Sequence, residues 1–211
     1  MKFDFFIDRL KERLENPLPG SSAHEIMRAT PVGNILPDFQ HKLPPRPGSV
    51  LILLYPDQGK IWFPLIQRPE YLGAHSGQVS LPGGKAEAGE DAIETALREA
   101  QEEIGIQASS IQVLGRLSDF FVIPSNFIVT PVIGFVHSIP KMVPDTVEVE
   151  RIILGDVGSL MDPMAIRTKE IVAGGKFTMR APYFDVEGQV VWGATAMMLN
   201  EFRSVALSLH A

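Results

Sequence analysis

Apolar positions recur along this chain in two rhythms, one helical and one extended. They fall first at Phe3, Phe6, Ile7, Leu10 and Leu14, the three-or-four-residue step that predicts an amphipathic helix over residues 3–15. Charges of both signs interrupt its polar face, which favours docking onto the chain's own core over a membrane or a partner. Residues 16–47 carry Pro17, Pro19, Pro31, Pro37, Pro44, Pro45 and Pro47 and read as an irregular connection. Strand composition then takes over. Ser49 to Tyr55 and Lys60 to Gln67 predict two strands joined through Pro56, Asp57, Gln58 and Gly59. Ile111 to Leu117 and Phe127 to Val136 predict another pair, separated by Pro124, Ser125 and Asn126. Val147 to Leu154 and Tyr183 to Trp192 are further strand candidates, the second divided by Gly188. The helical step returns at Ile93, Ala96, Leu97, Ala100 and Ile104, and again over Gly193 to Leu207. Helices and strands intermix without regular alternation. That predicts an α/β fold with a mixed β-sheet sandwiched between helices and an N-terminal helical extension. The expected division is 1–47 for the helix and proline-rich connection and 48–211 for the main domain.

Composition bounds this picture. A chain of 211 residues holds one core, or a core and a small extension. Its 45% hydrophobic and 21% charged residues are those of a globular protein. A formal net charge of −6 offers no general attraction for nucleic acid or an anionic membrane, so neither is expected as a partner. Any polyanionic substrate must be met by local cations or metal. Without cysteine the chain has no disulfide, thiol nucleophile or thiolate-bound zinc. The opening MKFDFFIDRLKERL lacks the continuous apolar stretch of an export signal, and no later run has the length of a membrane span. The cytoplasm is the expected location.

The densest chemistry lies between Gly84 and Ile106, GKAEAGEDAIETALREAQEEIGI. Glu99, Glu102 and Glu103 lie off the apolar stripe of the predicted helix, within about one 100° sector. Carboxylates three and four apart repel, and only Arg98 is close enough in sequence to compensate. Such a face is either solvated surface or a site for a hard dication, for which oxygen ligands favour magnesium, calcium or manganese over zinc. Leu81, Pro82, Gly83 and Gly84 lead into it from a short strand through a loop where glycines let the backbone approach a ligand. Glu90 opens the helix.

These residues match the Nudix box, Gx5Ex7REUxEExGU, at Gly84, Glu90, Arg98, Glu99, Glu102, Glu103, Gly105 and Ile106, with Ala100 departing at the aliphatic position. Seven specified residues at about 6% usage each would coincide by chance on the order of once in 10⁸ to 10⁹ starts. The chain therefore resembles a Nudix hydrolase, which cleaves a nucleoside diphosphate linked to another moiety. The resemblance implies Glu99 and Glu103 as principal metal ligands, Glu102 and the Gly83 carbonyl as further ones, and Mg2+ or Mn2+ as the metal. Arg98 and Glu90 would brace loop and helix by pairing with each other.

The preceding segment, LIQRPEYLGAHSGQVSLPGG, resembles the signature of the coenzyme A pyrophosphatase branch. Arg68, Gly77, Pro82, Gly83 and Gly84 match it, and His75, Ser76, Gln78 and Val79 are similar to that branch's wording. Pro64, Ile66, Pro69 and Leu81 depart from it, as does Gly73, which stands where the branch has a second arginine. Without it phosphate recognition either weakens or shifts to Arg68, Lys85 or another cation. Arg68, His75, Gly77, Gln78, Gly84 and Lys85 are the candidate substrate-binding residues. Each has a quieter reading: Arg68 pairing with Glu70, His75 as a loop residue, Gly77 and Gln78 shaping a turn. The WGATA run from Trp192 resembles the same branch, with Thr195 read as structural. The implied reaction splits coenzyme A or its acyl derivatives into adenosine 3′,5′-bisphosphate and 4′-phosphopantetheine. ADP-ribose or another nucleoside diphosphate derivative remains an alternative substrate, and a noncatalytic nucleotide-binding regulatory module an alternative role. The water's proton needs a base, either a box glutamate or one of Glu148, Glu150, Glu170 and Glu187. A homodimer is implied only by the habit of that family.

Overall fold

The computed structural model describes residues 2–33, 39–69, 77–175 and 177–210, the last without its side chain. Its first half follows the apolar rhythm. Helix α1 spans Phe3–Leu14, α2 spans Ser21–Ile26 and the two-residue strand β1 spans Thr30–Pro31. Strands β2, Arg46–Asp57, and β3, Lys60–Gln67, form the expected hairpin, followed by β4, Val79–Ser80, and β5, Gly83–Lys85. Helix α3 covers Ala92–Ile104. Strands β6, Gln112–Arg116, β7, Phe120–Val122, β8, Phe127–Phe135, and β9, Arg151–Asp156, come next. After α4, Val157–Met161, come β10, Ile166–Ala173, β11, Phe177–Val186, β12, Gln189–Trp192, and α5, Gly193–Leu207.

The main sheet runs β4-β3-β2-β8-β6, with β5 joined to β2, β7 to β8 and β9 to β3. β2 and β8 are parallel and the other ladders antiparallel. A parallel centre must be covered on both faces, which explains the unbroken apolar run Leu51 to Tyr55, all of it buried. Period-two alternation sends Leu51, Leu53, Tyr55 and Val132 to one face, where Ala96, Ala100 and Ile104 of α3 meet them. Ile52, Leu54, Ile133 and Phe135 enter the opposite core with Phe6 and Leu10 of α1 and Leu199 and Phe202 of α5. The result is the mixed sheet sandwiched between helices that the sequence predicts. A second sheet, β1-β11-β10 with β12 on β11, packs its Phe184 and Val191 into the α5 core.

Several local expectations need correction. The connection expected to be irregular contains α2 and β1, because buried contacts order it: Glu201 of α5 accepts from Gly20 N–H at 3.0 Å and pairs with His24 Nε2 at 2.9 Å. Asn200 Nδ2 also donates to the Ala23 carbonyl at 2.7 Å. The strand expected from Val147 starts at Arg151, since Asp145 draws Val147 and Val149 into a turn through 2.7 Å hydrogen bonds to their N–H groups. The stretch from Tyr183 to Trp192 is divided at Gly188 as expected, into two strands turning at Glu187 and Gly188, but the first reaches back to Phe177. Among the described residues no helix is long and apolar enough to cross a membrane.

Helix α1 is built into the core. Leu10 is fully buried among sheet and α5 residues. Leu10→Ala is therefore expected to cost about 3 kcal/mol, read as a lowered urea midpoint; an unchanged midpoint would mean that α1 contributes little to the fold.

Candidate active site

Two backbone features bring the acidic residues together. On one edge of β2, the first half pairs with β5 at Gly48 to Val50 and the far end pairs with β3 at Tyr55 to Asp57. Between these ladders Leu51 N–H donates to the Pro82 carbonyl at 2.8 Å. The loop expected at Gly83 and Gly84 is thus a short strand, held by backbone pairing that no side-chain pattern announces. A Cβ at Gly83 would lie 2.3 Å from the Ser49 carbonyl oxygen, so a side chain is excluded there. One at Gly84 would lie 2.4 Å from Glu99 Oε1, so the glycine leaves space that the carboxylate occupies.

Helix α3 supplies the other half. Its N-cap is Asp91, one residue beyond the expected opening at Glu90, and Asp91 forms a capping box with Glu94. Gly105 ends the helix in the left-handed conformation at φ 72°. Between these stops Arg98 and the three glutamates follow the sequence spacing. Arg98 Nε and Nη2 donate to the two oxygens of Glu90 at 2.7 and 3.0 Å, a bidentate pair. Nη2 also reaches the Lys85 carbonyl at 3.0 Å, and Nη1 reaches Glu99 at 3.0 Å and Glu102 at 2.9 Å. Glu90 further accepts from Glu87 N–H at 2.9 Å and Thr95 Oγ1 at 3.1 Å. With hydrogen bonds from Arg98 leading, its carboxyl is held down at about 2. One guanidinium therefore ties β5, the following loop and three glutamates into a single unit.

Glu103 sits apart from that hub. Its side chain is 1% exposed; Oε2 accepts from Gly83 N–H at 2.8 Å, and Oε1 faces Arg68 Nη2 at 3.4 Å. Burial pushes its carboxyl up from 4.5 to about 7, and the charges of Glu99 and Glu148 push the same way against the Gly83 and Arg68 contacts. Burial also raises Glu99, with Glu102 and Glu148 adding to it against Arg98. Glu102 is exposed beyond its Arg98 pair.

Of the substrate-binding candidates, Arg68 meets Glu103. Its own N–H donates to the Gln78 carbonyl at 3.0 Å, and Gly77 N–H to the Pro69 carbonyl at 3.3 Å, so Gly77 and Gln78 close the turn beside it. His75, Glu70 and Gly73 lie outside the described residues. Lys85 pairs with Gly48 while Gly84 faces Glu99, so strand alternation turns the Lys85 side chain to the other face. Its backbone carbonyl is what engages Arg98. Among the acidic candidates for a base, Glu170 meets Arg180 and Glu187 accepts from Leu154 N–H, whereas the charge of Glu148 reaches Glu99 and Glu103. No motif marked Ser49, Thr130 or Asp119, which the sheet register sets in one line with Gly84.

The NUDIX domain model matches residues 45–159, which span this entire arrangement. The chain belongs to the Nudix family. It is 31% identical over 171 residues to Nudix hydrolase 3 of Caenorhabditis elegans, across 72% of this chain and 70% of that one. It is 35% identical to the mitochondrial Nudix hydrolase 15 of Arabidopsis thaliana, across 76% of this chain and 59% of the relative. It is 32% identical over 129 residues to the mouse peroxisomal coenzyme A diphosphatase NUDT7, across 61% and 54%. The chain thus spans little more than half the length of those plant and mouse relatives. The Mycobacterium smegmatis Nudix hydrolase RenU shares the fold, with TM-score 0.56 and 17% identity over 79% of this chain and 88% of that one.

Nudix hydrolases use divalent metal ions and act on small nucleotide derivatives, and the family match makes this protein a hydrolase of phosphoanhydride bonds. Among the described residues no three acidic or histidine side chains already converge into a cage. The donor set nevertheless fits a hard dication: it is all oxygen, Glu99 and Glu103 are largely withdrawn from water, and among the described residues the cations paired with them are Arg98 and, at longer range, Arg68. A dication there would offset the burial that raises both carboxyls and the smaller repulsion from neighbouring glutamates that adds to it.

The raised Glu103 sets a pH dependence. A carboxyl whose value is higher in the fold contributes stability that is complete below 4.5 and is lost as pH rises through about 7. The metal-free protein is expected to lose urea resistance across that window, and Glu103→Gln to flatten the loss. Parallel curves for the two proteins would remove Glu103 as its source.

Proposed function

We propose that the protein hydrolyses the diphosphate of coenzyme A or its acyl thioesters, releasing adenosine 3′,5′-bisphosphate and (acyl-)4′-phosphopantetheine. The observation that carries this reading is the segment from Leu65 to Gly84, whose Arg68, Gly77 and Pro82–Gly84 match the coenzyme A branch. The likeness to the mouse coenzyme A diphosphatase supports it from a second direction. Arg68 lies beside Glu103, where a guanidinium can meet a diphosphate oxygen as that carboxylate turns to a metal.

In this reading Glu99, Glu102, Glu103 and the Gly83 carbonyl hold Mg2+ or Mn2+. The metal supplies charge neutralisation at the phosphorus and a more acidic water. Arg98 and Glu90 keep helix and loop in register, so the carboxylates need only side-chain turns to meet an ion. Glu148, whose negative charge acts on both Glu99 and Glu103, takes the proton from the attacking water.

Turnover of coenzyme A, acetyl-coenzyme A, ADP-ribose and a dinucleoside polyphosphate, with products identified by mass, tests the substrate. Coenzyme A or its thioester is expected to have the highest kcat/KM, with 4′-phosphopantetheine or its acyl form among the products; higher kcat/KM on ADP-ribose would overturn the choice. Glu148→Gln is expected to lower kcat about 100-fold with little change in KM. Unchanged kcat would return the base to the box glutamates.

A further inference from the structure

The sheet face at Gly84, which lies against Glu99, continues beyond it. Leu51 and Val132 meet α3, so residues two and four positions back along their strands lie on that same face. The first such line is polar. It runs from Gly84 to its partner Ser49 and to Thr130, whose Oγ1 donates to Asp119 at 2.6 Å. The second line is apolar, registering Pro47 with Ile128 and Ile128 with Phe121. It lies about 7 Å further along the strands, at 3.3 Å per residue.

The apolar line is open to solvent. Pro47 is exposed, Ile128 is 38% and Phe121 42% exposed, and exposed Ile123 lies just past Phe121. Contiguous exposed apolar residues on a rigid sheet carry a solvation cost unless something covers them. Their position says what does. They begin one step from the carboxylates, on the same face, beyond a band of hydroxyls and one carboxylate. We propose that Pro47, Ile128 and Phe121 seat the aliphatic arm of the diphosphate substrate, with Thr130 and Asp119 passing beneath the polar group that joins the arm to the phosphate and the buried Ser49 hydroxyl holding the Thr130 carbonyl at 2.7 Å.

A nucleobase suits the strip less well. Pro47 and Ile128 at its centre are aliphatic, Phe121 is its single ring, and none of the three side chains can read a base edge by hydrogen bonding. The inference deepens the proposed coenzyme A activity and rests on it for the arm's identity alone.

The test separates the two. Ethyl, butyl, hexyl and octyl esters of the terminal phosphate of ADP keep the diphosphate and contain no pantetheine. With wild-type protein kcat/KM is expected to rise about tenfold from ethyl to hexyl, since each methylene on a half-open surface gains part of its burial energy. Phe121→Ser with Ile128→Ser should flatten the rise, and Phe121→Leu should retain it, all three proteins keeping the same circular dichroism. A flat wild-type series, no turnover of any ester, or the same rise in the double variant would overturn the strip. So would a change of the double variant from dimer to monomer with its rise intact, which would make the surface a contact between copies. Coenzyme A, assayed alongside, decides the parent reading independently: turnover of coenzyme A with a flat series removes only the strip. A rising series without coenzyme A turnover removes only the substrate identity.

Discussion

The whole site depends on how closely Gly83 and Gly84 pass between β2 and α3. A side-chain carbon at the first would collide with the β2 backbone, and one at the second would enter the space of the Glu99 carboxylate. Because neither exists, a strand of three residues can pair with β2 while its outer surface touches the acidic face of the helix. The Gly83 amide then holds Glu103, and the Lys85 carbonyl holds Arg98. Strand, loop and helix reach a common geometry through backbone groups, which lose little rotamer freedom and so hold the carboxylates with small positional scatter.

That geometry concentrates negative charge at a cost in stability. Arg98 offsets three glutamates at once, and its bidentate hold on Glu90 fixes the guanidinium so that Glu99 and Glu102 meet a cation already in position. Glu103 is different: it is buried, and among the described residues it meets the Gly83 N–H and one long cationic contact from Arg68, so its charge stays partly uncompensated. The metal-free fold carries this electrostatic strain at the place proposed for a dication, where binding and folding would draw on the same free energy.

Much of this was legible in the sequence because it depends on period and spacing. The helices at Phe3–Leu14 and Ala92–Ile104, the β2–β3 hairpin, and the acidic face opposite Ala96 and Ala100 all follow from side-chain pattern. What escaped depends on tertiary pairing. β5 has two glycines in three residues and so no apolar alternation to detect. α2 is six residues long and is held by Glu201 and Asn200 from the far end of the chain. β10 is mostly exposed and polar, paired to β11 along its whole length, so its apolar residues do not announce it. For Arg68 the sequence offers a substrate phosphate or its near neighbour Glu70, whereas the structure sets it beside Glu103, 35 residues away on α3. The Ser49, Thr130 and Asp119 line exists only once β2, β8 and the approach to β7 are in register.

The close approach itself is open to direct measurement. Manganese binding to the wild-type protein and to Gly84→Ala, followed by electron paramagnetic resonance, isolates it, because the added methyl needs only to displace the Glu99 carboxylate. The variant is expected to keep its thermal midpoint within a few degrees and to bind manganese at least about tenfold more weakly, the loss of roughly one ligand interaction. Equal manganese affinity in the two folded proteins would contradict the claim that the glycine strand sets the metal-binding carboxylates.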